Sequence, residues 1–221
     1  AIGIDRFTIR LNDRRTLTGI LEQAGLAEKQ TDVLRALDKL GKASPEAVGK
    51  ELAGHGVAPE AIERLLAMAS LAGPPQEVLK ELETLVGESE IGKAGLTGLA
   101  KIIDGVASAG VPAGRVVLDP SIARGLDYYT GLVLESFLDE LPSLGSICSG
   151  GRYDNLAGLY TKQPLPGVGA SLGLDRLIAG LEELGRLPTA ETPAEVFLVF
   201  FADKHLGDYL RIASALRSRG V

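Results

Sequence analysis

One cysteine and two histidines are all that this sequence offers a soft or borderline metal ion. Cys148 has no partner for an internal disulfide, and three such residues at unrelated positions do not make a zinc-type ligand set, so no structural metal is expected. Long apolar runs are missing as well. No stretch approaches the roughly 18 to 20 apolar residues that span a bilayer. The N-terminus shows no charged region followed by an apolar block and a small-residue cleavage site. These absences predict no membrane partner and a cytoplasmic location. Positive charge is in deficit, with 23 Lys and Arg against 29 Asp and Glu and a formal charge of −6. That argues against a nonspecific basic coat for nucleic acid and leaves room for a local basic surface toward RNA.

What is present is a chain of 221 residues, 45% apolar and 24% charged, enough to bury one good core and a second small one. The chain opens on Ala1, and Phe7, Ile9 and Leu11 alternate with Thr8 and Arg10 as in a half-buried strand. At the other end EVFLVFF, from Glu195 to Phe201, precedes a helical pattern to Arg219, as in the first strand and helix of an α/β domain. Both ends read as truncated.

From about Arg14 to Ala109 the periodicity is helical. Val33, Leu37 and Leu40 recur at three- and four-residue spacing, as do Ile62, Leu65, Leu66 and Ala69, then Leu79, Leu82 and Val86, then Leu96, Leu99, Ile103 and Val106. Pro45 and Pro59 stand at first helical positions, and Gly54, Gly56, Gly73 and Gly87 at helix ends. From Arg115 the texture turns strand-like, over Val116 to Leu118, Gly131 to Leu138 and Leu144 to Ser149. The spacing predicts an α+β chain with a sheet as the seat of its chemistry.

Two short runs concentrate that chemistry: SIARGLDYYTG from Ser121 to Gly131, and SGGRYD from Ser149 to Asp154. Arg124 carries a planar fork of donors suited to a carboxylate or phosphate in two-point contact; an arginine that pins its turn through Asp119 or Asp127 is the alternative. Tyr128 and Tyr129 read as the opening of the next strand, which would send them to opposite faces. Tyrosine as a packing residue is an open alternative for either one. Gly150 and Gly151 permit close backbone approach or a bulge before Arg152 and Tyr153. If the two strands are neighbours, Tyr153 brings a second phenol toward the pocket. Two phenols with nearby carboxylates can satisfy both nitrogens of an imidazole. Glu135 shares a strand face with Tyr129, and a solvent-facing carboxylate is the expected reading. A third segment, GVGASLGLDRL from Gly167 to Leu177, is no dinucleotide fingerprint, because Leu172 stands where the third glycine belongs. Its strand-to-helix junction puts Arg176 in a first helical turn, where its charge opposes the dipole and a functional reason is called for.

The two runs, in form, order and approximate spacing, resemble the histidine-specific signatures of the histidyl-tRNA synthetase family. GVGASLGLDRL resembles the third motif shared by class II aminoacyl-tRNA synthetases. The resemblance implies an antiparallel sheet of six or seven strands interrupted by a mostly helical insertion. It divides the chain into residues 1–22, core strand after the second shared motif; 23–103, helical insertion; 104–186, core with the histidine-specific and third motifs; 187–194, linker; and 195–221, start of an anticodon-binding domain. It further implies the substrates L-histidine, ATP with Mg2+, and tRNA(His), with Arg124 catalytic and in contact with both the α-phosphate and the amino-acid carboxylate. Tyr129 and Tyr153 would then recognise the imidazole beside Tyr128 and Gly151, while Arg176, with Gly173, would hold the ATP phosphates. The first shared motif, which builds the homodimer interface, and the second have no counterpart here, so the 221 residues alone are not expected to activate an amino acid. The alternative is the histidine-sensing regulatory subunit of ATP phosphoribosyltransferase, from which the C-terminal segment, Arg176 and the full RGLDYYTG set this chain apart. A helical interaction module without a site is a third reading, which leaves the arginine–tyrosine clusters unexplained.

Overall fold

The computed structural model describes residues 4–126, 128–187 and 194–220, in two compact units, Ala1–Gly180 and Leu181–Val221. The first unit begins with β1 (Phe7–Asp13), then α1 (Arg14–Gln23), α2 (Gln30–Leu37), α3 (Pro45–Gly54), α4 (Pro59–Ala69), α5 (Pro75–Val86) and α6 (Glu90–Ser108). It continues through β2 (Val116–Leu118), β3 (Leu132–Leu138), β4 (Ser146–Tyr153), β5 (Gly167–Leu172) and the start of α7 (Leu174–Glu183). The strands form one five-stranded sheet in the order β2-β1-β3-β4-β5. β1 and β2 run parallel, and the other three pairs are antiparallel. The α+β expectation holds, with five strands among the described residues.

The helices start and stop where the sequence chemistry requires. Asp13, extended in backbone, caps α1 by accepting the Arg15 N–H, and Ser44 and Ser89 cap α3 and α6 in the same way. Proline opens α3, α4 and α5. Gly87 ends α5 with φ +53°, which a side chain would resist. The predicted stripes are the core: Val33, Leu37, Leu65, Leu82, Val86 and Leu99 are all at most 2% exposed. They join Leu11 and Leu118 of the sheet in one cluster. α1 and α6 approach so closely that a methyl group on Gly19 would come within 2.5 Å of Gly92 Cα, and one on Gly95 within 2.5 Å of the Thr16 hydroxyl oxygen.

Register decides what each face of the sheet carries. Leu11 lies opposite Leu134 on the face packed into the helical core. The alternate residues form a second face, with Arg10 opposite Glu135, Glu135 opposite Ser149, and Ser149 opposite Ser171. The next row is Asn12, Val133, Gly151 and Gly169. This face is polar along one row and bare at the two glycines of the other.

Three local expectations need correction. β3 begins at Leu132, so Tyr128 and Tyr129 do not open a strand; both donate backbone N–H to Gly125 O in a turn. β4 runs on through Gly150 and Gly151 to Tyr153 rather than ending at Ser149. The segment Glu195–Phe201 carries no ladder among the described residues, because a strand needs a neighbour and none pairs with it. In that second unit α8 (Leu206–Arg217) forms as expected. Tyr209 Oη accepts the Phe201 N–H at 3.0 Å, and its ring lies 5.3 Å from that of Phe200.

Candidate functional site

A loop crosses the polar face and brings Arg124 onto it. Asn12, 1% exposed, donates through Nδ2 to Pro120 O at 3.1 Å and Ile122 O at 2.9 Å. A buried amide must be bonded, and here the need is met by fixing the loop. Asp119 accepts Arg10 Nη1 at 3.0 Å and, through its other oxygen, the Ser121 N–H at 3.1 Å. Ile122 and Ala123 are buried beneath, 6% and 1% exposed. Arg10 and Asn12 of β1 and the loop itself therefore set the direction from which Arg124 enters.

Among the described residues of its own turn Arg124 pairs with none, Asp119 being taken by Arg10; Asp127 lies outside the described residues. Its Nη1 lies 3.0 Å from Glu135 Oε1 and its Nε 3.5 Å from Asp38 Oδ1. Glu135 does not face solvent as expected but is 4% exposed on the polar face, beside the arginine. Its Oε1 has charge compensation but no aligned hydrogen bond. Burial pushes the Glu135 carboxyl above the usual carboxylate range, Arg124 opposes that rise, and Asp38 adds to it.

The tyrosines meet this region from the side. Tyr128 and Tyr129 pack together with ring centroids 4.3 Å apart and ring planes tilted by 57°. The Tyr129 ring fills the space over Gly151, where a methyl carbon would sit 2.7 Å from Cδ1, and over Gly125, where it would sit 1.9 Å from Cδ2. Burial, then bonding to Tyr128, pushes the Tyr129 phenol up to about 12. Tyr153 lies along β5: methyl carbons on Gly167 and Gly169 would meet its ring at 2.5 Å and its hydroxyl oxygen at 2.6 Å. Gly169 is the register partner of Gly151, so the two phenols lean over neighbouring bare positions of adjacent strands, about 5 Å apart. Of the two readings of these glycines, Gly151 shows close approach, of the Tyr129 ring to its backbone, and β4 pairs with β5 through both glycines without a bulge.

Arg124 and Glu135 stand between two adjoining cavities. One, about 490 Å3, is lined also by Tyr128, Tyr129 and Ser149; the other, about 330 Å3, by Arg10, Asp119, Ser146 and Arg176. Arg176 in the first turn of α7 donates through Nη1 to Ser146 O at 2.6 Å. Gly173 donates to Ile147 O at 2.8 Å and shares a further cavity of about 320 Å3 with Arg176. Tyr153 lines neither cavity at Arg124. Asp38 and Lys42, from the short turn after α2, line both. A larger cavity of about 620 Å3 between α5 and α6 lacks any such arginine and tyrosine cluster, and its Lys93 is paired with Glu88 at 2.7 Å.

The cleft thus offers phenols at one end, two arginines toward the other and a buried carboxylate between, a layout for an elongated ligand with a polar ring and anionic groups. Sequence reasoning missed Asn12, Arg10, Asp38 and Lys42. None left a local signal of its own: Arg10 and Asn12 occupy the polar positions of an alternating strand.

A family model described as histidyl-tRNA synthetase matches residues 1–177. A protein of Rhodopirellula baltica named histidine–tRNA ligase is 53% identical over 222 residues, covering 100% of this chain and 50% of that protein. A crystal structure of histidyl-tRNA synthetase from Nostoc sp. PCC 7120 is similar at a TM-score of 0.80 with 38% identity, covering 100% of this chain and 52% of that one. A structure from Bacillus halodurans titled as an ATP phosphoribosyltransferase regulatory subunit/histidyl-tRNA synthetase shares the fold, with a TM-score of 0.67 at 22% identity, covering 99% of this chain and 53% of that one. The chain spans about half the length of the curated relatives it matches.

Proposed function

The chain belongs to the histidyl-tRNA synthetase family, and from that premise we propose that it supplies the histidine pocket and part of the ATP site of a histidine–tRNA ligase. The histidine carboxylate attacks the α-phosphorus of ATP, the bond to the β-phosphate oxygen breaks, and pyrophosphate leaves, giving histidyl-adenylate. The histidyl group then passes to the 3′-terminal adenosine hydroxyl of tRNA(His), releasing AMP. Arg124 contacts the carboxylate and the α-phosphate and stabilises the charge that builds as they join. Tyr129 and Tyr153 bond the two ends of the imidazole over Gly151, with Tyr128 beside them. Arg176, next to Gly173, holds the far phosphates. A homodimeric full-length protein, a cytoplasmic location and the division into core, helical insertion (23–103) and anticodon-binding segment belong to the same proposal.

The observation that carries this reading is that Arg124 and Arg176 line one cavity while Arg124, Tyr128 and Tyr129 line the next. The names of the relatives favour the ligase over the regulatory subunit, for which the support is a likeness of fold. Magnesium is a separate matter. No group of three metal-ligating side chains is found among the described residues, and Asp38, Asp119 and Glu135 each face an arginine. The cleft by itself does not fit a protein-held ion, and Mg2+ enters with the phosphates of ATP, its usual carriers.

Histidine-dependent exchange of pyrophosphate into ATP by the full-length protein tests the proposal. Arg124→Ala is expected to lose about a hundred- to thousand-fold in rate, the cost of one charge-stabilising donor, and Tyr153→Phe to weaken histidine binding in a calorimetric titration. Rates and affinities unchanged by both substitutions overturn the assignment.

A further inference from the structure

Arg124 is held from two directions, and one of its holders comes from the helical block. Its guanidinium has three nitrogens: Nη1 faces Glu135 at 3.0 Å and Nε faces Asp38 at 3.5 Å. Nη2 makes no ion pair among the described residues, and Arg124 lines both cavities. Two of the three nitrogens thus face carboxylates, which leaves one edge of the fork for a ligand. A long side chain held this way loses little further rotamer freedom when it grips that ligand.

Asp38 is a firm anchor. It follows Leu37, 1% exposed, and its own backbone N–H closes α2 by bonding to Leu34 O and Ala36 O. Its carboxylate gains nothing locally. A negative charge at a helix C-terminus opposes the dipole, and a second carboxylate, Glu135, shares the same arginine and is pushed up by Asp38. Both side chains of the Asp38–Arg124 pair are 40% exposed, and exposed pairs add little to folding. The value of the contact therefore lies in direction. Resting on the function proposed above, we infer that Asp38 is a positioning residue for Arg124, acting with Glu135, so that the helical block between β1 and β2 sets the aim of the reacting arginine.

The test uses Asp38→Asn, which keeps the shape and removes the charge, and Asp38→Glu, which keeps the charge, in the full-length protein. Pyrophosphate exchange is expected to fall roughly tenfold in kcat for Asp38→Asn, with the KM for histidine changed less than about twofold, because contacts realised only in the transition state act on kcat. Asp38→Glu is expected to restore at least half of the loss, and both variants to melt within a degree or two of the parent. A kcat unchanged in Asp38→Asn, or a KM that rises with kcat intact, overturns the inference. If the parent itself shows no histidine-dependent exchange, the proposed function fails, and the clamp is read separately from the Arg124 Nε–Hε resonance. Broadening of that signal in Asp38→Asn upholds the clamp, and an unchanged signal overturns it.

Discussion

Replacing Gly151 by alanine places a methyl carbon 2.5 Å from the Leu132 carbonyl oxygen and 2.7 Å and 2.9 Å from two carbons of the Tyr129 ring. Ordinary contact at such atoms needs roughly 3.4 Å or more, so something must move by nearly 1 Å. The oxygen belongs to β3, which β1 and β4 fix on both sides. The ring is the softer partner, yet behind it stands Gly125, whose Cβ direction already points into the ring at 1.9 Å. Overpacking of this kind costs about 1–3 kcal/mol, against a gain of roughly 0.5–1 kcal/mol for removing a glycine from regular structure. The net expectation is a loss of about 1–2 kcal/mol in urea unfolding, together with a fall of the Tyr129 phenol from its position near 12 as the ring tips toward water. Gly105→Ala is the control, since nothing lies within 4 Å of its Cβ position inside α6; it should gain about 0.5–1 kcal/mol. A Gly151→Ala protein as stable as Gly105→Ala, with its tyrosine titration unaltered, refutes the claim that the ring rests on this glycine.

Three further outcomes are expected. Ultraviolet titration of the five tyrosines should leave one phenol ionising near 12, and Tyr129→Phe should remove that component alone. Glu135 binds its proton more tightly folded than unfolded, so the parent loses stability as pH rises from the ordinary carboxylate range through the raised value. Glu135→Gln does not titrate, and its stability relative to the parent should improve over that window; a difference that stays flat with pH contradicts the sign. Asp13→Ala removes the cap of α1 and the partner of Arg15 at 2.8 Å and should cost roughly 0.5–2 kcal/mol, with Asp13→Asn recovering most of it in thermal unfolding.

The helical block was legible because periodicity and caps are local. Leu82, Val86 and Leu99 sit in the core where the spacing put them, and the prolines at 45 and 59 open their helices. The tyrosines of the site were legible as residue types but not as geometry. Tyr128 and Tyr129 have strand-forming side chains, and only the turn closed on Gly125 keeps them out of β3. Gly150 and Gly151 look like a break in a strand until the rings and backbone on either side are known. Least legible were the ionic partners of Arg124. Glu135 lies on an antiparallel neighbour of β1 and Asp38 in a turn far back in the chain, and no local pattern announces contacts set by strand register and helix packing.

The parallel pairing of β1 with β2 sets an order of assembly. β1 is followed by the whole run α1 to α6 before its two neighbours appear, whereas β3, β4 and β5 follow one another and pair in sequence. Closing short loops costs less entropy than closing long ones, so the β3–β5 meander can form by itself while β1 waits for a distant surface. On a translating ribosome β1 is made before β2 to β5, yet it is among the last of these five strands to find its bonds. Asn12, which ties β1 to the Arg124 loop, then makes ligand competence a late event, reached only after the helical block has condensed behind the sheet.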